Sequence, residues 1–117
     1  MQTFLREAIG VAQGDTALFS DYADGGEMWT GQGPRERRRR VGVDTPFRAA
    51  TMVHVALSLL DTDGRSNTRI DVGTDAITSE GLEIVFRTWG DSRVARIRVR
   101  WMAIGAVAHD DDWRDVS

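Results

Sequence analysis

The sequence predicts an all-β domain, an antiparallel sandwich or barrel, from two observations. Apolar residues recur at every second position in several stretches, which is the period of a strand with one buried face, while the helical period is nearly absent. Turn-forming segments separate these stretches at short, regular intervals, at 61–67, 79–81 and 90–92. With 117 residues, the chain is long enough for one compact domain and too short for two.

The first third of the chain predicts two strands joined by a glycine-rich loop. Residues 3–8 favour a single helical turn, and "IGVAQGDTALFSDYADGG" at 9–26 favours a first strand that runs into the loop. "RERRRRVGVDTPF" at 35–47 predicts a second strand, with Pro46 just beyond its end. A strand conformation divides Arg37–Arg40 between two opposite faces.

Alternation predicts four further strands, at 52–60, 67–73, 81–88 and 96–103. Their apolar sets, each expected on one face, are Val53, Val55, Leu57 and Leu59; Ile70 and Val72; Leu82, Ile84 and Phe86; and Ile97, Val99 and Trp101. In the last stretch the opposite face carries a basic stripe, Arg96, Arg98 and Arg100.

The pattern ends after Gly105, so we expect residues 1–107 to form a single domain and residues 108–117 to form an acidic tail. The tail has no alternation and carries Asp110, Asp111, Asp112 and Asp115. We therefore expect it to be dispensable for folding, although Trp113 is an apolar residue that docking on a neighbouring face would bury.

Composition excludes several classes of protein. There is no cysteine, so disulfides, thiol nucleophiles and zinc–thiolate sites are ruled out. The amino terminus lacks a basic segment followed by a continuous apolar stretch, and no window approaches the ~18 apolar residues of a membrane span. We expect a soluble protein without membrane insertion or an export signal, delivered by assembly or lysis if it acts outside the cell.

Three motifs have both a functional and an ordinary interpretation, and the ordinary one is favoured each time. The arginine run at 37–40 resembles a nucleic-acid patch, but the net charge is -3 and no aromatic residues interleave with it. The segment from Asp61 begins like a calcium loop but has Ser66 and Val72 where glycine and glutamate are needed. The two histidines, His54 and His109, have no metal-ligand spacing. We predict no nucleic-acid binding, no metal, no cofactor and no enzymatic activity.

The segment "FRTWGDSRVARIRVRWMAIG" at 86–105 holds two tryptophans with different expected roles. Trp101 shares its parity with Ile97 and Val99, so we expect it in the core. Trp89 lies at a strand end beside the Gly90 turn, on the parity opposite to Phe86. Parity alone leaves Trp89 as either an edge cap or a stacking platform for a ligand.

Residues 46–105 resemble the H-type lectin domain of snail agglutinins and of the C-terminal part of discoidins. The signals occur in the family's order: a proline–aromatic start, a strand ending in Asp61, "NTR" ending at Arg69, "IT..G" at 77–81, Thr88–Trp89, and a final Trp101 strand ending in "AIG". The preceding "GGEMWTGQGPRERRRRV", at 25–41, resembles the family's first loop and second strand.

The resemblance implies a six-stranded antiparallel β-sandwich that assembles as a parallel homotrimer. It also implies binding of galactose or N-acetylgalactosamine, without catalysis, in clefts between protomers. By position, Arg69 matches the arginine that hydrogen-bonds sugar hydroxyls, and Trp89 matches the tryptophan that packs against the sugar. A pyranose presents C–H groups to an aromatic face, and a guanidinium donates several fixed hydrogen bonds, so both roles suit these side chains.

Two positions depart from the family pattern. Gly90 stands where the snail lectin has histidine, and Ala95 stands where it has tyrosine, which bears on the choice of sugar. The family's early-loop glycine and aspartate fall within 31–36, with Gly31, Gly33 and Glu36 as candidates, and Asp91 is a candidate substitute partner for the sugar.

With this resemblance, we expect segment 86–105 to form a hairpin with Trp101 in the core and Trp89 at the rim of a ligand site. The basic stripe of Arg96, Arg98 and Arg100 is expected to meet acidic partners within the trimer. The alternative function is a structural trimerisation or adhesion module, in a surface or phage-like fibre, whose sugar site has decayed at Gly90 and Ala95.

Overall fold

The computed structural model describes residues 8–44, 46–48 and 52–107. In these ranges the chain forms six strands and two four-residue helices: β1 (Ala8–Phe19), α1 (Asp21–Asp24), α2 (Glu27–Thr30), β2 (Arg35–Gly42), β3 (Met52–Thr62), β4 (Ile70–Thr78), β5 (Gly81–Thr88) and β6 (Val94–Val107). The helical turn expected at 3–8 falls almost wholly outside the described residues, and Ala8 itself begins β1. The tail at 108–117, with His109, also lies outside them.

The strands form two antiparallel sheets, with strand orders β1-β6-β3 and β2-β5-β4. This arrangement confirms the prediction of an all-β, six-stranded antiparallel sandwich. Successive strands lie in different sheets, except for β4 and β5, which form a hairpin. The turn of this hairpin at Ser79–Glu80 agrees with the turn expected at 79–81.

The prediction of a hairpin at 86–105 is wrong. Strand β5 is the central strand of one sheet and β6 is the central strand of the other, so the two strands are not hydrogen-bonded to each other. Both carry a fully buried apolar row on the face that points into the sandwich, as at Phe86 and Val99. Two such central strands bury these rows by packing face to face, and alternation reports the buried face but not the neighbouring strand.

The core lies between the two central strands. Its largest members follow the alternation of the sequence: Leu82, Ile84 and Phe86 from β5, with Ile97, Val99 and Trp101 from β6. Phe19, at the end of β1, meets Phe86 edge-on, with 5.3 Å between ring centroids. The expectation that Trp101 is a core residue is confirmed, since 7% of its surface is exposed.

The inward row of β3 is shorter than the alternation predicts. Val53, Val55 and Leu57 pack against the core, but the pairing with β6 shifts register between Leu57 and Leu59. The shift places Leu59 opposite Arg98 instead of continuing the row. Such an irregularity inserts one residue into a strand and changes which face the following side chains occupy.

The arginine run of β2 is divided between two faces, as the sequence predicts. Arg37 and Arg39 lie opposite the core residues of β5, and Arg38 and Arg40 lie on the outer face. On that outer face, Arg38 forms ion pairs with three carboxylates: Glu36 of its own strand, Glu83 of the adjacent β5, and Asp75 of β4.

The basic stripe of β6 has its acidic partners within the same chain. Arg96 pairs with Asp61 at 2.9 Å, and Arg98 and Arg100 lie 3.5 and 3.4 Å from the two carboxylate oxygens of Asp15. Each arginine of the stripe therefore has an acidic partner in its own chain, and the three arginines share two carboxylates. Within the described residues, no helix is long and apolar enough to cross a membrane.

Candidate functional site

Three loops meet at one end of the sandwich and bring together most of the candidate residues. The Gly33 N–H donates to the Gly90 carbonyl at 2.9 Å, which joins the loop before β2 to the loop between β5 and β6. The Asp63 N–H donates to the Arg93 carbonyl at 3.0 Å, which joins the β3–β4 loop to the same segment. The β5–β6 loop is therefore the centre of this end of the molecule.

Arg69 is held by its backbone directly before β4. Its N–H donates to the Ser92 hydroxyl at 2.8 Å, and its carbonyl accepts from the Thr88 hydroxyl at 2.6 Å. Ser92 is fully buried and also contacts the carbonyl of Asn67 at 2.7 Å. These contacts fix the Arg69 backbone while 42% of its side chain remains exposed.

Asp91 orients the Arg69 guanidinium. The Arg69 Nη1 donates to Asp91 Oδ1 at 2.9 Å, and the other carboxylate oxygen lies 3.4 Å from both the backbone and side-chain nitrogens of Asn67. The Asn67 backbone N–H, helped by the Asp91 N–H and by Arg69, lowers the pKa of Asp91 below its ordinary value of 3.8. The carboxylate is therefore ionised at neutral pH and can accept hydrogen bonds.

Gly90 occupies a position that glycine alone fits well. Its φ is +70°, in the left-handed region, and a Cβ atom there would lie 3.0 Å from Arg69 Nη1. A larger side chain at this position, such as the histidine expected from the resemblance, would therefore face both a backbone cost and a crowded Arg69.

Trp89 lies on the rim of a cleft of about 370 Å³ that is lined by Pro34, Arg35, Glu36, Arg87, Thr88 and Trp89. The residue is 43% exposed, which agrees with its expected position off the core face. Glu36 accepts a hydrogen bond from Arg87 Nε at 2.9 Å on the same surface. The cleft thus combines an indole with a charged pair.

The candidate residues do not all line this one cleft. Glu36 and Trp89 do, whereas Arg69, Asp91, Gly31 and Gly33 are not among its lining residues. Gly33 has a φ of +75° and contacts the Gly90 carbonyl, and Gly31 donates its N–H to the Glu27 carbonyl at 2.7 Å. These two glycines therefore shape the loop.

Arg35 organises this loop, a role that the sequence analysis did not predict. It is 7% exposed, and its guanidinium donates to the carbonyls of Gly33, Glu27, Met28 and Gly90 at 2.9–3.3 Å. Arg35 is the first arginine of "RERRRR", and the strand alternation places it on the inward face. An arginine on that face needs buried hydrogen-bond acceptors, and this was the signal in the sequence.

Ala95 lies away from the Trp89 cleft. It is 4% exposed and lines a different cleft, together with Tyr22, Trp29, Asp61 and Arg96. In the described part of the chain, no group of three or more histidine, cysteine, aspartate or glutamate side chains is arranged to hold a metal ion. The segment from Asp61 forms a turn, in which the Arg65 N–H donates to Asp63 Oδ1 at 2.9 Å.

Comparison with known sequences agrees with the resemblance to H-type lectin domains. A sequence model of the H-type lectin domain matches residues 39–104. The chain is 52% identical over 109 residues to a Fuscovulum blasticum protein called "ATP synthase subunits region ORF 7", with coverage of 93% of this chain and 95% of that protein. It is 34% identical over 91 residues to a discoidin-1 polypeptide of Dictyostelium discoideum, with coverage of 75% and 36%.

Comparison of structures gives the same fold. Recombinant discoidin II of Dictyostelium discoideum superposes with a TM-score of 0.75 at 18% identity, over 92% of this chain and 40% of that chain. Wild-type discoidin II gives 0.73 at 20% identity, over 85% and 37%. The chain therefore spans about two fifths of the length of the discoidins it resembles.

Proposed function

We propose a function from the premise that the chain belongs to the H-type lectin domain family, a family of carbohydrate-binding domains. The proposed activity is non-enzymatic binding of glycans of the galactose or N-acetylgalactosamine type. The proposed site is the loop end of the sandwich, around Arg69 and Trp89.

The observation that carries this proposal is the exposed ion pair between Arg69 and Asp91, the residue two positions after the exposed Trp89, although neither Arg69 nor Asp91 lines the Trp89 cleft. The side chains of Arg69 and Asp91 are 42% and 53% exposed, so both are open to a ligand. A guanidinium donates to neighbouring sugar hydroxyls, and an ionised carboxylate accepts from them. The Trp89 indole offers a face for the C–H groups of a pyranose. These are the three chemistries that recognition of a neutral sugar needs.

Glu36 is proposed to extend the site. It lines the Trp89 cleft and is held by Arg87, and the pKa of Glu36 is lowered by hydrogen bonds from Arg38 first and from Arg87. An ionised Glu36 is a hydrogen-bond acceptor for the hydroxyls of a sugar that lies in the Trp89 cleft. We propose that Gly31 and Gly33 contribute by shaping the loop that precedes it.

The choice of sugar follows from Gly90. Without the family histidine at this position, we expect a site that tolerates different substituents at the 2-position of galactose. Binding of galactose and N-acetylgalactosamine with similar affinity in calorimetric titrations is the expected result.

We propose that the protein acts as a homotrimer with its sugar sites in clefts between protomers. The outer face of the β1-β6-β3 sheet supports self-association, because Val11, Ile104 and Met52 form one apolar row across it. Val11 and Met52 are 59% and 57% exposed, and soluble monomers rarely leave large apolar patches uncovered. Several weak sites on one assembly also gain avidity on a surface that carries many glycans.

Light scattering at micromolar concentration tests the assembly. We expect three times the mass of one chain for the wild type and a smaller species when Val11 and Met52 are both replaced by aspartate. A monomeric wild type contradicts the trimer. In that case the sugar site would have to be built from one chain.

The second candidate function is a structural trimerisation or adhesion module without sugar binding. Gly90 and Ala95 favour it, because both replace larger side chains that contact sugar in the resemblance. A glycan array separates the two functions: reproducible hits that soluble galactose competes away support the lectin, and a blank array with an intact trimer supports the module. Hydrolysis of a glycoside by the purified protein would contradict both.

A further inference from the structure

A second cleft at the same end of the sandwich is independent of the Trp89 cleft. It has a volume of about 480 Å³, within the range of small-molecule sites, and shares no lining residue with the first. Its walls come from α1, α2, the end of β3 and the start of β6. Its lining residues are Ser20, Tyr22, Ala23, Trp29, Asp61, Ala95 and Arg96.

The aromatic wall of this cleft is preorganised. Tyr22 is 64% exposed and meets Trp29 edge-to-face, with 5.2 Å between centroids and an interplanar angle of 79°. The Arg93 guanidinium lies 4.2 Å from the centroid of the Trp29 ring, donates to the Trp29 carbonyl at 3.1 Å, and is itself paired with Asp63 at 3.1 Å. A ligand would therefore meet aromatic rings that are already held in place.

The polar wall has unused hydrogen-bonding groups. Arg96 places both Nε and Nη2 on a single oxygen of Asp61, Oδ2, at 3.0 and 2.9 Å. Within the described ranges, the Asp61 Oδ1 and the Arg96 Nη1 have no hydrogen-bond partner. The cleft therefore offers one charged acceptor and one charged donor next to each other, with no net charge from the pair.

We propose that this cleft is a second saccharide site that takes a neutral pyranose ring. Tyr22 presents an exposed aromatic face for the C–H groups of the ring, and neighbouring hydroxyls match the adjacent acceptor and donor of Asp61 and Arg96. The pairing of Arg96 with Asp61 leaves no uncompensated cation for an acidic sugar or a phosphate. The site uses none of the residues proposed above to bind galactose, although its Ala95 stands where the resemblance places a sugar-contacting tyrosine. The Trp89→Ala variant therefore separates the two proposals.

Fluorine NMR of the whole chain labelled with 5-fluorotryptophan tests the site. The four tryptophans give four reporters, which are assigned by single replacements with phenylalanine. Free galactose, N-acetylgalactosamine, glucose and N-acetylglucosamine are the probes, and N-acetylneuraminic acid is the charged control. We expect at least one neutral sugar to shift the Trp29 resonance saturably, also in a Trp89→Ala variant, and the charged sugar to leave it unmoved.

Two variants of Tyr22 complete the test. Tyr22→Ala is expected to weaken the Trp29 response by about tenfold, while Tyr22→Phe keeps the ring and the response. Both should fold, because Tyr22 is largely exposed, and this is checked by their melting temperatures. A Trp29 resonance that no neutral sugar shifts, or that loses its response in Trp89→Ala, overturns the second site. Short aromatic peptides are titrated as a further probe. A Trp29 shift that only these peptides cause overturns the saccharide site in favour of a protein partner.

Discussion

Arg69 and Asp91 are joined by a 2.9 Å ion pair that links the β3–β4 loop to the β5–β6 loop. The pair uses only the Nη1 atom of the arginine. Within the described parts of the chain, the Arg69 Nε and Nη2 have no hydrogen-bond partner, so both can donate to a ligand. Exposed ion pairs contribute little to folding, about 0–1 kcal/mol, so the pair serves mainly to orient the guanidinium.

Replacing Arg69 with alanine should weaken sugar binding at least tenfold. The substitution removes hydrogen bonds from a charged donor, each worth roughly 1.5–3 kcal/mol. Arg69→Lys should recover little of the loss, because an ammonium cannot pair with Asp91 and also donate in the geometry of a guanidinium. Calorimetric titration with galactose measures the effect. Arg100→Ala is the control, and it should bind as the wild type does.

Trp89→Ala should weaken binding to a similar extent with only a modest loss of stability. Trp89 is 43% exposed, so removal of its indole opens no cavity in the core. Trp101→Ala is the opposite case, because truncation of a buried tryptophan costs roughly 3–5 kcal/mol. Thermal denaturation of the two variants, beside titration of the first, separates the roles. Unchanged affinity in a well-folded Trp89→Ala protein would mean that the ligand binds elsewhere.

The sequence predicted the buried rows of β5 and β6 well, because burial of one face imposes a two-residue period on the chain. It failed on the pairing of those strands, since Phe86 and Val99 show the same alternation whether they lie side by side in one sheet or face to face between two. Pairing depends on how the whole set of strands closes around the core.

The candidate site was predicted less completely than the fold. Trp89 was identified as an aromatic residue off the core face, and Arg69 was identified through the resemblance to the lectin family. Arg35 and Ser92 did not stand out, because their importance lies in backbone groups that are distant in sequence, such as the Gly90 carbonyl that Arg35 reaches across 55 positions. No local sequence pattern identifies a hydrogen-bond partner that is so distant along the chain.

Sugar binding should be independent of pH from about pH 8 to about pH 5. The pKa of Asp91 lies below 3.8, mainly because of the Asn67 N–H, so the Arg69–Asp91 pair persists throughout this window. A lowered pKa in the folded state means that the contribution of the pair is complete above the ordinary pKa and is lost as the pH falls through the lowered value. Glu36 has a lowered pKa as well and titrates in the same direction.

Titrations at a series of pH values test this expectation, with Asp91→Asn as the control that cannot ionise at position 91. The wild type should lose affinity only as the pH falls through the lowered pKa values of Asp91 and Glu36, and the variant should lack the part of the acidic loss that Asp91 causes. A fall in wild-type affinity near pH 6 would assign the dependence to a group other than Asp91 and Glu36.

Asp21→Ala should destabilise the loop that carries Trp29 and Arg35. The Asp21 side chain is 6% exposed, accepts the Met28 N–H at 3.0 Å, and pairs with Arg37 at 3.0 Å. Loss of hydrogen bonds to a buried charge should cost about 2 kcal/mol, or a melting temperature lower by roughly 10 °C. The nearby exposed Asp24→Ala is the matched control. Equal melting temperatures for the two variants would contradict a structural role for Asp21.

Gly90→Ala should impair binding through Arg69 as well as through the backbone. At a φ of +70° an alanine costs roughly 1 kcal/mol, and its Cβ would stand 3.0 Å from Arg69 Nη1. Gly25 is the matched control, because it has nearly the same φ, +69°, and a Cβ at that position would have no atom within 4 Å. Both alanine variants should lose similar stability in thermal denaturation. Only Gly90→Ala should lose sugar affinity in calorimetry, since it alone displaces the guanidinium. If the two variants bind sugar equally well, the orientation of the Arg69 guanidinium does not determine affinity. The ion pair with Asp91 would then not be needed to position Arg69 for the sugar.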